Sequence, residues 1–156
     1  MATSAPDLMY LFNQASHALN TEITAALGVL GITARDHCVL SKAVEADRTQ
    51  KEIAELALLD KTTMVVTVDA LEAEGLVRRA PCPGDRRARI IEVTPKGRKV
   101  VEASTAIIDD LFRGVLAALP SAQRTSFVDG LTRLVDDRLA EPPHVPNPPR
   151  RPRAKV

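Results

Sequence analysis

At 156 residues and 45% hydrophobic composition, the chain has enough length for one globular domain with a real core. No apolar run reaches the roughly 20 residues a bilayer span needs, and no signal peptide opens the chain, so a soluble, cytoplasmic protein without a membrane partner is expected. Two cysteines, Cys38 and Cys82, are too few for a disulfide framework or a zinc cluster, and 3% aromatic content without Trp argues against stacking platforms for single-stranded nucleic acid.

The net charge of +1 hides a sharp segregation. Residues 1–77 hold 5 Lys/Arg against 11 Asp/Glu, whereas residues 78–99 hold 8 basic residues against Asp85 and Glu92. A local basic stripe on an acidic body suits phosphate contact while limiting indiscriminate binding.

In chain order, Leu8, Leu11, Phe12, Ala15, Leu19 and Ile23 recur at three- and four-residue steps and predict a first helix over 7–27 with one apolar stripe. Gly28 and Gly31 loosen the chain. Thr33 then caps a second helix with Asp36 in its first turn, burying His37, Leu40 and Val44. Thr49-Gln50-Lys51-Glu52 is a capping box opening a short third helix through Ile53, Leu56 and Ala57. A fourth helix follows after a few residues, so the pair reads as a helix-turn-helix with the fourth as recognition helix. Its buried face is Met64, Val68 and Leu71, which turns Thr62, Thr63, Val65, Val66, Asp69 and Ala70 outward. Outward valines suit thymine methyl groups in a major groove, and threonine hydroxyls suit base edges or phosphates.

Gly75 suits a left-handed helix end, and a strand over Leu76–Ala80 follows. Pro81-Cys82-Pro83-Gly84-Asp85 is expected to turn rather than continue a ladder, and Ala88–Val93 returns as the second strand. Asp85, Arg86, Arg87 and Arg89 fall at or near the hairpin tip, where arginine suits a narrow minor groove and Asp85 is placed to orient Arg87. Gln50 and Lys61, at the starts of the third and fourth helices, complete the DNA-contacting set. Thr94-Pro95 opens a long fifth helix that is apolar on more than one side, and Pro120-Ser121 opens a last one carrying Phe127, Leu131, Leu134, Val135 and Leu139. These end helices carry more apolar surface than one small domain covers, which implies a partner chain. The tail 142–156 has six prolines and four basic residues without an acidic one, and is expected to be disordered.

From Ile32 to Arg98 the chain resembles the multiple-antibiotic-resistance regulator (MarR) family of winged helix-turn-helix transcription factors. The resemblance rests on Gly31-Ile32-Thr33, Gln50-Lys51-Glu52-Ile53-Ala54, Leu59-Asp60-Lys61-Thr62-Thr63, Leu71-Glu72-Ala73-Glu74-Gly75-Leu76-Val77-Arg78-Arg79, Asp85-Arg86-Arg87-Ala88 and Val93-Thr94-Pro95-Lys96-Gly97, in this order. It implies a mainly α fold with a small β-hairpin wing and a helical dimerisation region. On that reading, residues 1–30 and 96–141 dimerise and 31–95 form the winged domain. The resemblance further implies a homodimer on a palindromic double-stranded operator, acting as a repressor released by a small aromatic or phenolic effector. Val66 stands where many members have Arg, which implies less dependence on guanine at that step. Met9 stands where peroxide-sensing members have Cys, the fifth helix lacks the His of zinc sensors, and the first-helix Trp of urate sensors is absent.

His17, His37, Phe12 and Phe112 are the candidate effector residues, the imidazoles suiting an anionic or phenolic ligand. For His37 a hydrogen-bonded core histidine is the competing reading, and Cys38 reads as a small buried hydrophobe. No metal or cofactor is expected, and without a G-x-G-x-x-G loop or a following cofactor domain the chain does not read as an enzyme. A winged-helix module that binds protein instead of DNA is the alternative.

Overall fold

A computed structural model describes residues 6–82 and 85–141; for residues 85–87 it describes the backbone alone. The chain runs α1 (Leu8–Leu27), a 3₁₀ turn (Gly28–Leu30), α2 (Ala34–Glu45), α3 (Gln50–Leu56), α4 (Lys61–Ala73), β1 (Val77–Cys82), β2 (Asp85–Val93), α5 (Pro95–Ala117), α6 (Ser121–Arg133) and a π turn (Leu134–Arg138). Two compact units divide inside α5, one ending at Phe112 and the other starting at Arg113. Among the described residues no single helix is long and apolar enough to cross a membrane.

The helix starts follow their local chemistry. Asp7 accepts from the Tyr10 amide at α1, and Thr33 with Asp36 and Thr49 with Glu52 close reciprocal capping boxes at α2 and α3. The backbone and hydroxyl bonds from Thr49 hold Glu52 below the usual carboxylate range. Gly75, at φ 69°, ends α4 with its amide on the Glu72 carbonyl and the Leu76 amide on the Leu71 carbonyl.

The core of the first unit gathers Leu27 of α1, Val39 and Leu40 of α2, Ile53 of α3, Met64, Val68 and Leu71 of α4, Val77 and Ile91 of the hairpin, and Val101 and Ile108 of α5. The α4 periodicity is as expected, with Thr67 added to its buried face, its hydroxyl donating to the Thr63 carbonyl at 2.8 Å. On α2, Leu40 is fully buried, while His37 and Val44 are only partly so. The α1 stripe is different: Leu8, Leu11 and Phe12 are exposed in the single chain.

The hairpin is longer than the expected one. Pro81 pairs with Arg89 and Cys82 with Asp85, with an irregularity between Pro81 and Cys82. A proline is tolerated there because β1 forms an edge of a two-stranded sheet, where a missing N–H breaks no inner ladder. The other strand gains a neighbour the sequence did not suggest: Thr49 bridges Ile90, and the Ile91 amide donates to the Arg48 carbonyl at 3.0 Å. The segment entering α3 thus lies along β2.

The second unit holds the end of α5 and α6. Arg124 joins them, its guanidinium donating to the Leu119 and Ala117 carbonyls at 3.0 and 3.2 Å, which satisfies acceptors left free where α5 stops. The tail 142–156 lies outside the described residues.

Candidate nucleic-acid interface

The α3–turn–α4 unit sets one helix face toward solvent. Asp60 caps α4, accepting the Thr63 amide at 2.9 Å and the Thr63 hydroxyl at 2.6 Å, and these bonds hold its carboxyl below the usual range. The Thr63 proton is therefore committed to the cap. Thr62 and Val66 stay exposed one turn apart, Val66 at 63%, with Lys61 beside them and Val65 half-buried. An exposed valine on a helix is unfavourable in water and gains nothing from helix propensity.

Beside α4 stands the hairpin, and its arginines divide into two groups. Arg78 ion-pairs with Glu92 across the strands. Arg79 turns to α4 and α3: its guanidinium pairs with Asp69 at 2.5 Å and with Glu72, and its Nε donates to Gln50 at 3.4 Å. Burial pulls the Arg79 pKa down, but the bonds from Asp69 and Glu72 outweigh it and hold the group above its ordinary value. Lys96 donates to the Glu74 carbonyl at 2.7 Å. Among the described side chains of the basic stripe, Arg78, Arg79 and Lys96 thus serve the fold. Arg89 is exposed and donates to the Ala88 carbonyl at 3.0 Å. The side chains of Asp85, Arg86 and Arg87 lie outside the described residues, and with them the proposed orienting pair; their backbone is the tip-side end of β2. Gln50, expected at the DNA, is half-buried and engaged with Arg79.

The candidate effector residues lie on three helices, α1, α2 and α5. His17 and Phe12 are exposed on α1, and Phe112 is exposed on α5. His37 Nδ1 lies 2.8 Å from the hydroxyl of fully buried Ser104. That hydroxyl donates to the Val101 carbonyl, so the imidazole is the donor and the neutral ring carries its proton on Nδ1. Burial lowers the His37 pKa, Asp109 opposing it and Lys42 adding to it. His37 is thus half-buried and hydrogen-bonded. An open cleft of about 600 Å³ lies nearby, lined by Asn20, Thr24, Arg35, Cys38 and Leu59, and none of the four candidates lines it. Burial also pushes the Cys38 thiol up, away from the reactive thiolate.

A helix pair with a capped, outward-facing second helix, followed by a two-stranded hairpin pinned against it, defines a winged helix-turn-helix. Residues 30–88 match the model of the MarR family. The whole fold is similar to the transcriptional regulator BldR from Sulfolobus solfataricus, at 28% identity and a TM-score of 0.74 over 83% of this chain and 92% of that one. It is also similar to a MarR-family transcriptional regulator from Rhodococcus sp. RHA1 (26%, TM-score 0.77, 86% and 96% covered). CouR from Rhodococcus jostii RHA1, solved with p-coumaroyl-CoA, matches at 27% and a TM-score of 0.75 over 92% and 99%. The match to the family model covers the helix-turn-helix and part of the hairpin, and the likeness to these regulators is one of fold over most of the chain.

Proposed function

We propose that this chain is a dimeric, sequence-specific reader of duplex DNA, a cytoplasmic repressor that a small aromatic or phenolic ligand releases from a palindromic operator. The observation that carries the reading is the α4 face: Met64, Thr67, Val68 and Leu71 are buried, and Thr62 and Val66 are left in solvent beside an arginine-bearing hairpin. A helix of this kind fits a major groove, and Arg86, Arg87 and Arg89 fit the neighbouring minor groove and phosphates. Support for the dimer comes from apolar side chains left exposed in the single chain: Tyr10 and Leu11 on α1, Phe127 on α6, Val135 and Leu139 after it. A second copy related by a two-fold axis covers them and matches a palindrome. The ligand component is supported by CouR, solved with an aromatic acyl-CoA, and by the open cleft beside α2.

The test is selection of duplexes by the full chain from a randomised pool. A palindromic consensus, bound with a steep salt dependence and lost in Arg87→Ala, is the expected result. Failure to select any sequence favours the protein-binding module instead.

A further inference from the structure

We infer that Arg79 is a positioning residue: it fixes the hairpin against α4, so that wing and recognition helix meet DNA as one rigid surface. The inference rests on the DNA reading proposed above.

Arg79 sits on β1, opposite Ile91, where the hairpin leaves the core. Its side chain is only 24% exposed and its donors are occupied by three acceptors on two other helices. Asp69 and Glu72 of α4 take the guanidinium, Gln50 of α3 takes Nε, and Glu72 also accepts the Arg79 backbone N–H at 3.1 Å. A planar fork bonded to two carboxylates resists rotation in a way a lysine point charge does not. Among the described residues, this fork holds β1 while the Arg48 and Thr49 backbone holds β2. The two ties grip the hairpin from either edge.

The lever arm makes the grip matter. Arg87 lies four residues beyond Ile91 along β2, so it stands about 13 Å from the tie, and a tilt of about 10° carries it about 2 Å. A displacement of that size removes a hydrogen bond to a base edge or phosphate. Arg79 also neutralises Asp69 and Glu72, both on the helix that would face DNA.

The decisive variant is Asp69→Asn with Glu72→Gln, which loosens the tie while leaving Arg79 in place. Charge alone makes this variant bind DNA more tightly, because two negative charges leave the recognition helix. Positioning makes it bind more weakly, and a loss of at least tenfold is expected on a duplex selected by the wild-type chain, with an unchanged circular-dichroism spectrum. Tighter or equal binding overturns the inference. A double-mutant cycle gives a second reading: Arg79→Met and Arg87→Ala each weaken binding, but Arg87→Ala costs less than twofold once Arg79 is gone, since the tip contact is already lost. Multiplicative losses overturn the inference and leave the DNA reading intact. If the wild-type chain selects no duplex, or Arg87→Ala alone changes nothing, the DNA reading fails first and the inference falls with it.

Discussion

Gly97 of α5 lies so close to Leu76 that a β-carbon at position 97 would stand 2.1 Å from the Leu76 carbonyl oxygen and 2.7 Å from a Val93 methyl. The approach is held by Thr94, whose amide donates to Leu76 at 3.0 Å and whose hydroxyl donates to the Gly75 carbonyl at 2.8 Å while accepting the Gly97 amide at 3.0 Å. Leu76 O is backbone and cannot rotate away, so Gly97→Ala must separate α5 from the root of the hairpin. Overpacking of this kind costs about 1–3 kcal/mol. Urea unfolding is expected to show a midpoint lowered accordingly, whereas Gly114→Ala, with open space around its α-carbon in the single chain, leaves the midpoint unchanged or raises it.

Leu58 gives the opposite sign. It sits at φ 53° and is 93% exposed, between an α3 end whose Glu55 carbonyl accepts the Leu58 amide and whose Ala54 carbonyl accepts the Leu59 amide. This is the left-handed position of a Schellman end, where a β-carbon costs about 1–2 kcal/mol and an exposed leucine contributes no packing. Part of that gain is offset by glycine's freer unfolded chain. Leu58→Gly is expected to raise stability by about 1 kcal/mol with an unchanged denaturant slope. A loss of stability would show that Leu58 is covered in the assembled protein.

These two positions mark where the sequence is legible. The caps at Thr33, Thr49 and Thr94 and the stop at Gly75 were readable because each is decided within three or four residues. The turn at Leu58 carries no glycine to announce it. Arg79 resembled a phosphate contact in a count of charges, because its acceptors lie 7, 10 and 29 residues away and only the fold brings them together. The bond between His37 and Ser104 spans 67 residues and was equally hidden, as was the pairing of Thr49 with Ile90. The outward face of α4 was legible because helical periodicity alone separates Met64, Val68 and Leu71 from Thr62 and Val66. Its side-chain commitments, such as the Thr63 hydroxyl on Asp60, were not.

Burial of His37 makes stability depend on pH in a defined window. Burial sets the folded His37 pKa below its ordinary 6.5, so between the two values the unfolded chain binds more protons than the folded one. Its contribution is complete above pH 6.5 and declines as pH falls below it. Glu45, Glu52 and Asp60, all held below their ordinary 4.5, 4.5 and 3.8, act only at lower pH. His37→Asn keeps a donor near Ser104 but does not titrate. Its urea midpoints are expected to be flat from pH 7 to 5.5 where the wild type declines; parallel curves would assign the decline to other groups.

Leu11 tests the two-chain assembly. It is 53% exposed on α1 beside Tyr10 and Phe12, a cluster of apolar surface that a second copy is proposed to cover. A glutamate in a covered apolar interface is desolvated without a partner, a penalty of several kcal/mol. Leu11→Glu is expected to convert a dimer to a monomer in sedimentation velocity while leaving the helical signal intact, since in the single chain the side chain faces solvent. A monomeric wild type, or a dimeric variant, removes α1 from the interface.

Val66 tests what the recognition helix reads. Its methyl groups carry no donor, so at the step it faces the wild-type consensus should follow thymine methyl contact and not depend on guanine. Val66→Arg adds a bidentate donor at the same point of an already exposed face, with no burial to disturb. A well-placed Arg–guanine pair is worth about 1–3 kcal/mol of discrimination, roughly 5- to 150-fold. Repeating the duplex selection with Val66→Arg is therefore expected to enrich guanine at one position of each half-site, symmetrically, while the rest of the consensus and the wing-dependent salt slope stay in place. Enrichment at no position would mean that residue 66 does not look into the groove, and the reading of this helix would pass to Thr62 and its neighbours.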